Sequence, residues 1–189
     1  MTWEWKYSIR KKFYSVQSVY KALTHHTQSA SQHILISIWK ANAPLKVLTF
    51  AWRLFQDIIV TKDALFKQSA NHLFSCCTFS YSVWQLIYNW LDFCIALPPT
   101  PISHFTHHLG MVKNRKHWKA WSVIWLATIW ALWLARNDIV FYMKKTSINN
   151  ILNSAKVKAW LWIRTQHGQD YLSYDNWIAN PLDCLNIVL

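Results

Sequence analysis

The sequence predicts an all-α fold: an irregular bundle of about six or seven helices, with a short strand pair near the amino terminus. Three observations carry that expectation. Only two of the 189 residues are Gly, against five Pro, which disfavours turn-rich β architecture and favours helices joined by short connectors. Fourteen Trp and a 53% hydrophobic content lie far above what a disordered chain carries, and the length suffices to bury a sizeable core. Finally, apolar residues recur at the i, i+3, i+4, i+7 spacing of one helix face in several separate blocks.

Residues 3–14 are aromatic and basic, end in Arg10-Lys11-Lys12, and suit a short extended or hairpin-like arm. Ser15 is placed to cap a first helix whose face is Val16, Val19, Tyr20 and Leu23. Residues 25–33 are polar and Ser-rich and read as a connector. The adjacent His25 and His26 diverge in direction and have no thiolate near, so they make a poor ligand pair. Trp39 opens a second helical block. Pro44 interrupts it and suits a helical first turn, where its missing N–H is an orphan in any case. Leu48, Ala51, Trp52 and Phe55 form its stripe, and Thr61 with Asp63 marks the start of a short helix.

Val83, Leu86, Ile87 and Trp90 form the next stripe, and Pro98-Pro99 with Pro101 ends it, giving the clearest expected boundary. Sixteen uncharged residues, 120–135, are bracketed by Lys119 and Arg136. A bilayer span needs about twenty apolar residues, and five Trp between Trp118 and Trp133 suit a buried helix better. A core helix without a membrane span is therefore expected. Ser147 caps a last long helix with Ile148, Ile151, Leu152 and Ala155 on one face, and the tail beyond Gly168 is expected to be loose.

The formal charge of +12, from 20 Lys and Arg against eight carboxylates, attracts polyanions or acidic membranes. The carboxylates are scattered, with no pair at the spacing of a two-metal site. A Gly-x-Ser-x-Gly elbow and a phosphate-cradling Gly-rich loop are both missing, so no enzyme is expected. Four Cys in a chain of this length, with no amino-terminal signal segment, do not read as a disulfide framework, and an intracellular, reducing compartment is the expectation.

Two constellations are chemically suggestive. In Asn71–Trp84, reading NHLFSCCTFSYSVW, His72 and Cys77 have the His-x-x-x-x-Cys spacing of half a tetrahedral zinc site, with Cys76 as a substitute ligand. No Cys-x-x-Cys exists in the chain, and Cys94 or Cys184 would have to complete the set from a distance. A plain buried thiol and a surface histidine explain the same residues. The second constellation is basic: Arg10, Lys11 and Lys12, and then Lys113, Arg115, Lys116 and Lys119, each cluster adjoining aromatics. Such interleaving fits nucleic acid, with rings on bases and cations on phosphates, and equally fits a solvated face. Trp52, Trp84, Trp125 and Trp133, at helical spacing, read as core.

The segment HLFSCCTFSYSVW resembles the second half of the reverse-transcriptase zinc-binding domain of plant LINE-type (non-LTR) retrotransposons. Trp3-Glu4-Trp5-Lys6 and Tyr14-Ser15-Val16-Gln17-Ser18-Val19-Tyr20 are similar to that family's opening motifs. Ile38-Trp39-Lys40, Ala43-Pro44, Lys46-Val47 and Phe50-Ala51-Trp52-Arg53-Leu54 are similar to its central block. Trp133, Arg136, Asn137 and Phe141 match a helix that often follows it.

The resemblance spans residues 3–145 and departs where the family's Cys-x-x-Cys should lie, between Leu65 and His72. It implies zinc for the family, none bound here, and a degenerate non-catalytic remnant that helps position RNA or DNA. Tyr174-Asp175-Asn176 is not the paired-aspartate turn of a reverse transcriptase. A helical protein-interaction or structural module, or a pseudogene product without activity, is the competing class. The organisation expected is a degenerate zinc-binding-like domain over 1–97, a Pro/basic linker over 98–117, a helical extension over 118–166 and a loose tail over 167–189.

Overall fold

A computed structural model of the chain describes residues 36–59, 74, 77–167 and 173–185; the side chains of residues 116, 166 and 167 are not described. Every element below belongs to one compact unit, Ser37–Leu189. In chain order these are α1 (Leu45–Phe55), α2 (Thr78–Trp90), α3 (Pro101–Gly110), a 3-10 turn (Arg115–His117), α4 (Trp118–Tyr142), α5 (Ile148–His167), α6 (Tyr174–Ala179) and α7 (Pro181–Cys184). The fold is all-α, with no strand among the described residues. The strand pair, the helix after Ser15 and the cap at Thr61 lie outside the described residues.

Pro44 caps α1, and its carbonyl accepts from the Val47 and Leu48 amides at 2.8 and 3.2 Å. The face of α1 that is buried is Val47, Leu48, Phe50, Ala51 and Leu54, while Trp52 and Phe55 are only half-buried. Relative to the expected stripe the helix is turned, because both flanks touch aromatics. Phe50 meets Phe74, Trp130 and Trp133, while Phe55 meets Phe105 and Trp125.

Residues 98–117, expected as a linker, instead carry α3. Pro101 begins this helix, because proline at the first helical position loses no hydrogen bond and has its φ already set. Thr100 closes a capping box with Ser103: the Ser103 amide donates to the Thr100 hydroxyl at 3.2 Å and the Thr100 amide to Ser103 Oγ at 3.3 Å. Phe105, His104, His108 and Leu109 are buried against the rest of the unit.

Helix α4 is the axis of the Ser37–Leu189 unit. It runs for 25 residues and packs against α1, α3 and α5. Twelve of its side chains are buried, on all sides between Trp121 and Ile129, which is why no single apolar face is visible in that part of its sequence. By length and composition it could cross a membrane, yet 56% of its most apolar window is buried inside the unit.

The short connector 143–147 returns the chain as α5, antiparallel to α4. Ser147 caps α5 through the Asn150 amide at 3.2 Å. Ile151, Ala155, Ala159 and Ile163 form its buried row, and the two alanines let the helix axes approach closely.

The tail expected to be loose folds in part. Ser173 caps α6, and Trp177 is fully buried. Its indole donates to the Lys156 carbonyl on α5 at 3.0 Å and meets Trp90 edge-on at 5.1 Å. Trp90 in turn donates to the Ile178 carbonyl at 2.8 Å, with the Lys156 ammonium 4.6 Å above its ring. A pair of tryptophans thus fastens residues 173–185 to α2 and α5. Of the tryptophans expected in the core, Trp84 and Trp125 are fully buried and Trp52 and Trp133 half-buried.

Candidate functional site

Of the expected zinc ligands, Cys77 is described: a half-buried free thiol at the residue preceding α2, where its backbone is extended and its side chain caps nothing. His72 and Cys76 lie outside the described residues. Cys94 is exposed and Cys184 half-buried, with the Cys184 thiol pushed up by burial and by Asp183. Among the described residues no group of three or more His, Cys, Asp or Glu could hold a metal ion. The described donors therefore do not make up a zinc-ligand set.

The second basic cluster lies at the amino-terminal end of α4. Lys113, Arg115 and Lys119 are exposed around the 3-10 turn, while the Lys116 side chain is not described. The Arg115 guanidinium sits 5.3 Å over the half-buried Trp118 ring, and the Trp118 indole donates to the Val112 carbonyl at 3.2 Å. A ring anchored to the backbone thus holds one cation of the cluster in place. The first turn of α4 contains no acidic residue. Its free amides carry the positive end of the helix dipole, so cations here raise a local potential that stability alone would have countered with Asp or Glu. Arg10, Lys11 and Lys12 lie outside the described residues.

A third constellation is absent from the sequence expectations. His104 and His108 stand one turn apart on α3, both buried, with the Tyr88 hydroxyl of α2 between them. The distances are 2.9 Å to His104 Nε2 and 3.1 Å to His108 Nδ1. His108 Nε2 lies 2.9 Å from the Trp121 carbonyl of α4. A carbonyl only accepts, so that nitrogen carries the proton and the direction of the whole chain follows. His108 Nε2–H donates to Trp121 O, Tyr88 O–H donates to His108 Nδ1, and His104 Nε2–H donates to the Tyr88 oxygen.

Trp121 completes the loop by donating its indole N–H to the His108 carbonyl at 2.5 Å, and its ring stacks on His108 at 4.6 Å and 7°. The ring of Trp84 lies edge-on to His104 at 4.3 Å. Burial lowers His104 to about 3, helped by His108 and His107. Burial lowers His108 to about 4, against the Trp121 hydrogen bond and with a further push from His107. Burial also raises the Tyr88 hydroxyl well above its usual range. All three groups are therefore neutral near pH 7, and the arrangement is a lock joining α2, α3 and α4. The His-x-x-x-His spacing is the signal the sequence offers, since it places both rings on one helix face.

Against known proteins, residues 14–80 match the family described as zinc-binding in reverse transcriptase. The match spans His72, Cys76 and Cys77 and ends inside α2. No curated protein and no solved structure matches the chain.

Proposed function

We propose that the chain is a degenerate, non-catalytic remnant of a plant LINE-type (non-LTR) retrotransposon polyprotein that binds nucleic acid weakly and without sequence preference. The family match over residues 14–80 supports the origin, and the motifs from Trp3 to Phe141 support its finer placement. The observation that carries the binding role is the exposed cluster Lys113, Arg115 and Lys119 at the positive end of a 25-residue helix. Phosphates neutralised there release counterions, which supplies affinity without reading bases.

Fluorescence anisotropy with a single-stranded RNA oligonucleotide tests this on the whole chain. Binding is expected near 50 mM salt and should fade steeply toward 200 mM. If folded protein gives no detectable binding at the lower salt, the proposal fails.

The same reading leaves the chain without zinc, since His72 and Cys77 are two of four expected ligands and the Cys-x-x-Cys half is missing. Elemental analysis of purified protein should find well under one zinc per chain. One tightly held zinc per chain, released by Cys77→Ser, would contradict it.

A further inference from the structure

The basic cluster ahead of α4 presents cations but offers no ring to a base. Lys113, Arg115 and Lys119 are exposed, and no Asp or Glu occurs anywhere between Asp92 and Asp138. The indoles that adjoin these cations in sequence are Trp118 and Trp121. Trp121 is fully buried, stacks on His108 at 4.6 Å and gives its indole N–H to the His108 carbonyl. Trp118 is half-buried, carries the Arg115 guanidinium over its ring at 5.3 Å and gives its N–H to the Val112 carbonyl. Both indoles therefore belong to the framework. The other large apolar side chains of this segment are covered as well, Met111 half-buried and Val112 buried.

The cations leave from a fixed backbone. The Val112 amide donates to the Leu109 carbonyl at 3.4 Å, and the His117 amide to the Asn114 carbonyl at 3.0 Å, which bounds the turn holding Lys113 and Arg115. Lys119 lies in the first turn of α4. A guanidinium steadied on a ring keeps its fork geometry, which suits phosphate oxygens.

We infer that this face is a surface for double-stranded nucleic acid, in which Lys113, Arg115 and Lys119 meet backbone phosphates and no base is contacted. A base stacked on an open ring would favour a single strand by about fivefold or more, and the cluster has no such ring. What is left is phosphate charge. A duplex carries about one charge per 1.7 Å of axis, about twice the density of one strand. It also arrives already ordered, whereas a flexible strand loses freedom when it settles on a fixed array of cations. Lipid headgroups present phosphate too, but stable attachment to a membrane takes an apolar anchor besides the charge. Met111, Val112 and Trp118 are all covered, so the cluster supplies none. This inference deepens the nucleic-acid reading above and rests on it.

Fluorescence anisotropy on the whole chain compares a blunt DNA duplex with one of its own strands, for the parent and for Lys113→Gln/Arg115→Gln/Lys119→Gln. Near 50 mM salt the parent should bind the duplex about sixfold more tightly, from three contacts at slopes of about 0.9 against 0.7 per phosphate. In the variant the salt slope should fall by about 2.7 on the duplex and about 2.1 on the strand, and the preference for duplex should vanish. The three side chains are exposed, so the variant should keep the parent's circular dichroism and urea midpoint, which are measured alongside. If the parent binds the strand and the duplex no more tightly, the inference fails while the proposed function stands. A duplex preference that survives in the variant would equally overturn it. If neither probe binds, both fall. Cluster-dependent binding to phosphatidylserine vesicles, without binding to the duplex, would also count against it.

Discussion

Truncating Trp125 to Ala should cost about 3–5 kcal/mol, the usual range for a large aromatic core side chain, and leave little folded protein. Trp125 is 1% exposed and touches Phe55, Trp84, His104 and Phe105, so its removal opens a hole where α1, α2, α3 and α4 meet. Its indole N–H has no hydrogen-bond partner, whereas that of Trp121 donates to the His108 carbonyl. Replacing each by Phe separates packing from hydrogen bonding. Trp121→Phe should be the more destabilising by about 1 kcal/mol, because it removes a buried hydrogen bond to the His108 carbonyl, which keeps only the 3.3 Å bond from the Met111 amide, while Trp125→Phe removes a donor that was never satisfied. Urea midpoints of the two variants decide the matter, and the reverse order would show that the described hydrogen bond contributes nothing.

Acid should unfold the Ser37–Leu189 unit, and the histidine lock should set the steepness. Both folded histidines are depressed, His104 to about 3 and His108 to about 4, from an ordinary value of 6.5. Below pH 6.5 the unfolded chain binds protons that the folded chain refuses. Stability is therefore complete above pH 6.5 and is lost as pH falls toward 4, at about 1.4 kcal/mol per unit for each imidazole. Two such groups give a slope near 2.7 kcal/mol per unit, against a typical total of about 5–15 kcal/mol.

The groups facing them are His107 on α3, the Tyr88 hydroxyl from α2 and the Trp121 carbonyl from α4, none of which supplies a negative charge to hold an imidazolium. Denaturant titrations from pH 7.5 to 4.5 should show the fall, and His104→Gln should shallow it by about half. A pH-independent midpoint in that window would mean that the imidazoles are not buried neutral. Tyr88→Phe leaves one donor and one acceptor without their partner, and should cost about 1–3 kcal/mol at pH 7 for each.

What is legible in the sequence is local. Stripes in α2 and α5 are visible because those helices bury one face: Val83 and Ile87, then Ile151 and Ala155, are buried as expected, while Leu86, Trp90, Ile148 and Leu152 of the same stripes are half-buried. Helix α4 is recognisable from its unbroken apolar run but its orientation is not, since a helix buried on all sides has no face to read. The α3 segment reads as a linker because three prolines outweigh the cap signal in Thr100-Pro101-Ile102-Ser103. The tail reads as loose because Trp177 is held by Trp90 and Lys156, far away in sequence, and no local pattern announces such a contact.

The site divides the same way. The charge at Lys113–Lys119 is readable directly, whereas its placement beside the positive end of a helix comes only with the structure. The partner that turns His104 and His108 into a lock is Tyr88, on another helix.

Whether the positive end of α4 is used on nucleic acid can be read from the salt dependence of single-stranded RNA binding. The parent chain is compared with one in which Lys113, Arg115, Lys116 and Lys119 are all changed to Gln, both shown to be folded. If the cluster meets phosphate, the slope of log K against log salt should drop by up to about 2.8, at roughly 0.7 for each phosphate no longer neutralised. An unchanged slope in the variant, with the parent binding well, would contradict the proposed role of this cluster and move the interface elsewhere on the chain.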